Sequence, residues 1–169
     1  MKKLFYILIT TLCVWGCAGS ASKSAQLDAL VQEYKGEAGI RVLNLERSAL
    51  DLLKVSAEFN DEIDDVSQAI IDGLDNLEKV TIVEIEEDIS SLTLERFNEE
   101  VYAMLDKMPI LLDLSEDEDV TRLYGTMEGD QVRDGVLFSE GYGMFIIRGT
   151  ISKDTIKAFF ESNGYEGYF

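Results

Sequence analysis

Histidine is absent from these 169 residues, and that narrows the available chemistry at once. Serine and cysteine nucleophiles usually take their proton acceptor from an imidazole. What remains is a serine–lysine pair, with two serines to consider. Ser48 lies near Lys54, and Ser139 lies near a hairpin turn. Neither spacing forms a motif, and cap or surface serines account for both.

Carboxylates are the abundant reactive group, with 33 acidic residues in the chain. Two of them at the right separation hydrolyse a glycosidic bond. Glu84, Glu86 and Glu87 are such a set, and alternation along a strand points Glu84 and Glu86 to one face. A solvated strand end explains the same three residues. A second acidic run, Asp113 to Asp119, places oxygen ligands at Asp113, Ser115, Asp117 and Asp119, as in the opening of a calcium loop. The match then fails. Glu118 stands where that loop needs glycine, and Tyr124 stands where it needs a bidentate glutamate. The plain alternative is an acidic turn between strands. Zinc lacks its usual ligands here. No glycine-rich phosphate loop is present, since Gly141 and Gly143 belong to a hairpin around Tyr142. Tyr165, Tyr168 and Phe169 end the chain as a docking patch for a partner or as residues that pack back on the sheet.

The N-terminus gives an address. Met1-Lys2-Lys3 precedes an apolar run from Leu4 to Leu12, followed by Val14-Trp15-Gly16-Cys17. A charged start, a short apolar run and a small residue mark an export signal. The run falls short of the roughly 20 apolar residues that span a bilayer. Cys17 directly after Gly16 suits a lipobox, with residues 1–16 removed and Cys17 lipidated. Trp15 departs from the small residue usual there, and an ordinary secretory cut a few residues later, after Ala18-Gly19-Ser20-Ala21, is the alternative. Processing removes Cys13 and the only tryptophan, so the mature chain would hold no free thiol, imidazole or indole. Loss of Lys2 and Lys3 makes the formal charge of −18 more negative by two. That charge opposes nucleic acid and anionic lipid headgroups. Membrane attachment would then rest on acyl chains.

The elements that position these residues follow from periodicity. Residues 17–25 read as lipidated cysteine and flexible tether, and residues 26–169 as one domain. Helices are predicted over 26–34, 48–59, from 61 to about 76, and 93–107 with Thr93 as cap and Pro109 as stop. Ser152 caps a closing helix. Strands are predicted over 40–45, 79–85, 110–114, 120–127, 132–138 and 142–151. Hairpin turns fall at Gly129-Asp130 and Glu140-Gly141. This order predicts an α+β fold, with a largely antiparallel sheet and helices on one face. The first two long strands, joined through helices, are candidates for a parallel pair.

With this layout the chain resembles the Bacteroidetes lipoproteins that carry the domain of unknown function numbered 4252. The matching features are Cys17, the run Leu27-Asp28-Ala29-Leu30-Val31-Gln32-Glu33-Tyr34, and the strand Gly39 to Leu45. The Asn76 to Ile85 strand, Val136-Leu137-Phe138 and Phe145-Ile146-Ile147-Arg148-Gly149 also match. The resemblance implies an α+β lipoprotein facing the periplasm and carries no activity with it. The residues after Cys17 are not acidic, which argues against a surface-export tag and for a periplasm-facing, outer-membrane anchor. The expectation is a non-enzymatic module that binds an envelope protein through a sheet edge or an uncovered sheet face, without a cofactor. Arg122, Tyr124, Arg148 and Thr150 are its expected contact residues. Cation or small-molecule binding at the acidic turn is the second expectation, and a carboxylate hydrolase the third.

Overall fold

A computed structural model describes residues 22–58, 68, 71–115 and 120–162. Cys17, the tether before Ser22, most of the helix expected from residue 61, Asp117, Asp119 and the aromatic tail lie outside the described residues.

Helix α1 spans Lys23–Glu33. It starts three residues before the expected position because Ser22 caps it, its side-chain oxygen accepting from the Ala25 N–H at 3.2 Å. Strand β1 spans Ile40–Glu46 and helix α2 spans Arg47–Glu58. A short 3₁₀ turn at Leu74–Asn76 leads into strand β2, Leu77–Ile85. Helix α3 runs over Ser91–Leu105. Its cap is Ser90, not Thr93: the Ser90 hydroxyl accepts from the Thr93 N–H at 3.1 Å. Strands β3 (Ile110–Asp113), β4 (Thr121–Glu128), β5 (Gln131–Ser139) and β6 (Gly143–Ser152) follow. Gly129 and Gly141 turn the β4–β5 and β5–β6 hairpins with φ of +66° and +79°. Helix α4, Lys153–Ser162, is capped by Ser152, which accepts from the Thr155 N–H at 3.0 Å.

The six strands form one sheet in the order β1-β2-β6-β5-β4-β3, and every neighbouring pair is antiparallel. The fold is therefore α+β with an antiparallel sheet. The expected parallel pairing of the first two long strands does not occur. Ile40 lies opposite Ile85 and Glu46 opposite Lys79, so the chain leaves β1 and enters β2 at the same end of the sheet. No crossover is needed, and β2 is an interior strand.

Alternate residues of each strand face opposite sides, and both sides carry a core. On the inner face α1 and α3 pack Leu27, Val31, Phe97, Val101 and Leu105 against Val83, Val136, Phe138, Met144 and Ile146. Phe97 and Phe138 are fully buried, each worth about 1.5–3 kcal/mol of transfer free energy. On the outer face α4 lays Ile156 and Phe160 against Leu123, Val132 and Leu137. Val132 and Val136 have the same parity yet face opposite sides. A bulge between Arg133 and Val136, with Asp134 at φ +52°, reverses the alternation.

A buried polar contact seats α1. Asp28 accepts from Lys79 Nζ at 2.7 Å and from Thr81 Oγ1 at 2.6 Å. Gln32 and Asn44 exchange two amide hydrogen bonds at 3.1 Å beside it.

Candidate functional site

Among the described residues the outer sheet face is the less completely covered of the two. Val80 and Ile82 of β2, Phe145 and Ile147 of β6, and Leu137 of β5 point to it. Between this face and α4 lies a cavity of about 170 Å³ whose wall exposes no polar atoms. Leu77, Val80, Ile147 and Ile151 form its floor side, and Ile156 and Phe160 its helix side. Gly73 closes it next to Thr155, whose side chain leaves no room for a Cβ.

A second hollow of about 330 Å³ adjoins the first and shares Leu137, Phe145, Phe159 and Phe160 with it. Phe159 meets Phe145 edge-on at 6.4 Å and Phe160 at 5.6 Å, so the three rings pack together where the hollows meet, and all three line both. Phe145 is 37 % exposed. The far side of the second hollow is polar: Glu84, Thr121, Ser139 and Tyr142 line it. Thr121 Oγ1 and Ser139 Oγ share a hydrogen bond at 3.0 Å. A third groove, about 410 Å³, runs along the opposite flank of α4 between Leu112, Met127, Val132 and Lys157.

The residues singled out from the sequence fall elsewhere. Asp113 and Ser115 form a closed turn. Asp113 Oδ1 accepts from the Ser115 N–H at 3.1 Å and from its hydroxyl at 2.5 Å. Asp113 Oδ2 accepts from Arg122 Nε at 2.8 Å. The Ser115 hydroxyl, Arg122 and the Ser115 N–H, in that order, hold the Asp113 carboxyl down at about 2. Both oxygens are engaged and a guanidinium sits beside them, which opposes a cation at this carboxylate. Among the described residues no group of three or more metal-ligating side chains assembles.

The four expected contact residues divide into two places. Tyr124 is buried at 4 % in the inner core. This corrects its placement on an open face, and Arg122 follows the same inner parity. Arg148 and Thr150 line a polar hollow of about 330 Å³ towards the other end of the sheet, with Ser22, Arg133 and Asp134. Arg148 lies 3.8 Å from Glu78 and Arg133 lies 2.7 Å from Glu128, so this hollow is laced by exposed ion pairs.

The carboxylate set is bridged. Arg41 Nη1 donates to Glu84 at 3.0 Å and Nη2 donates to Glu86 at 2.5 Å. A cation between two exposed carboxylates is the reverse of the environment that raises a general acid. Ser139 meets Thr121 and not a lysine, while Lys54 donates to Asp75 at 2.7 Å. Tyr102 donates to Glu140 at 2.6 Å. Burial, and then that bond, push its hydroxyl well above the usual tyrosine range, so it serves as a donor and not as a base.

Leu137, Phe145 and Ile147 carry part of the family resemblance in the sequence but are not among the expected site residues. The available signal was that both parities of Met144 to Ile147 are apolar, which requires cover on both faces. Fold and site together define an α+β domain with an apolar groove between its outer sheet face and its closing helix. No family model, curated protein or solved structure matches the chain. The resemblance drawn from layout therefore transfers no residue role to this groove.

Proposed function

We propose that this chain is a non-enzymatic binding module of the cell envelope, tethered through Cys17, and that its binding element is the groove beside α4. The observation that carries the reading is the roughly 170 Å³ cavity with no polar wall atoms. A dry cavity of about this size lined by Leu, Ile and Phe takes up an apolar ring or chain. It offers nothing for proton transfer or nucleophilic attack. The test is fluorescence titration with the neutral probe N-phenyl-1-naphthylamine. The wild-type chain binds one equivalent, and Phe145→Glu, which places a charge at the partly exposed ring, binds at least tenfold more weakly. Binding that ignores this substitution, or no binding by the wild-type chain, contradicts the reading. The tether has its own check: Cys17→Ser moves the protein into the soluble fraction, and continued membrane association of that variant counts against the anchor.

A second reading rests on α2. Leu52, Leu53 and Val55 are 68 %, 50 % and 47 % exposed, an apolar stretch of the kind that docks a protein partner. It keeps protein interaction as the alternative use of the same module.

A further inference from the structure

The two adjoining hollows beside α4 differ in character in a way that specifies a ligand. The inner one exposes only apolar atoms among the described residues, with Thr155 in its lining. The outer one is apolar where they meet, at Leu137, Phe145, Phe159 and Phe160, and polar at Glu84, Thr121, Ser139 and Tyr142. We propose, resting on the groove reading above, that the ligand is a neutral, hydroxyl-bearing single-chain lipid, its alkyl chain in the inner cavity and its head at Thr121, Ser139 and Glu84.

Three observations carry the chemistry. Volume comes first. About 170 Å³ exceeds the roughly 150 Å³ that accommodates a benzene ring, so the inner cavity takes about six carbons of a chain and the outer one receives the rest. Head-group polarity comes second. The paired Thr121 and Ser139 hydroxyls, 3.0 Å apart, donate to or accept from an alcohol, and the Glu84 carboxylate lines the same hollow two strands from Ser139. Charge comes third. Neither lining includes a lysine or arginine among the described residues. Arg41, which pairs with the lining residue Glu84, is shared between Glu84 and Glu86. A carboxylate or phosphate head therefore meets the Glu84 carboxylate and a chain of formal charge −18, while the Arg41 guanidinium is already engaged by the two glutamates.

The experiment is competition against N-phenyl-1-naphthylamine on the full domain at pH 8, with 1-hexanol, 1-octanol and octanoate as competitors. Octanol displaces the probe and binds at least tenfold more tightly than octanoate. From hexanol to octanol each methylene tightens binding about fourfold. Glu84→Gln, at an exposed position, narrows the octanol-to-octanoate ratio at least threefold. Octanoate binding as tightly as octanol overturns the head-group assignment. Probe binding that depends on Phe145 but resists every alkyl competitor overturns the lipid while leaving the groove reading intact. Failure of the probe itself overturns both.

Discussion

Asp113 shows how one side chain separates a metal ligand from a turn. Its two oxygens satisfy Ser115 and Arg122 within nine residues of chain, and they hold its carboxyl at about 2 against an ordinary 3.8. A folded value below the unfolded one contributes stability above the unfolded value and loses it as pH falls from about 4 towards 2. Asp113→Asn is therefore expected to flatten the fall in melting temperature over pH 4 to 2 and to leave the dependence above pH 5 unchanged. Thermal melts across that range check it, and parallel curves for the two proteins would contradict it. The acidic turn itself was legible in the sequence. Its partner Arg122 was read for a different role, because a contact across the β3–β4 pair depends on register and not on spacing along the chain.

At the scale of elements, α1 depends on the Asp28–Lys79 contact. The two side chains are 10 % and 12 % exposed, so removing one leaves the other as a buried charge. Glu46 lies 3.6 Å from Lys79 and softens that cost. Asp28→Ala is expected to destabilise the domain by about 3 kcal/mol, the low end for breaking such a pair, while Asp28→Asn costs less by keeping an acceptor for Thr81. Urea unfolding of the two variants checks this, and equal midpoints would refute the role given to the ion pair.

Helices and strands were legible at this scale because period 3.6 and period 2 are strong in the sequence. The hairpin turns and the Ser152 cap were read directly from turn and cap residues. The pairing of β1 with β2 was not. A helical connection permits either direction, and only the register of Glu46 with Lys79 settles it. The groove escaped for a related reason. Alternation marks two faces but not which one a helix covers, and the bulge at Asp134 exchanges them partway along β5.

The molecule as a whole combines a strongly acidic composition with an apolar groove beside α4. Its formal charge of −18 favours solubility and opposes anionic partners, while the groove supplies an attraction indifferent to charge. Both faces of the sheet carry a core, the inner one under α1 and α3 and the outer one under α4.

The account stands most directly on the groove being an accessible site, and a substitution that fills it without adding charge is the cleanest test. Val80→Phe places a ring in the cavity floor. Titration of this variant with N-phenyl-1-naphthylamine, with its melting temperature measured alongside, is expected to show a folded protein whose probe affinity has dropped at least tenfold. A folded Val80→Phe protein that binds the probe as tightly as the wild-type chain would contradict the account.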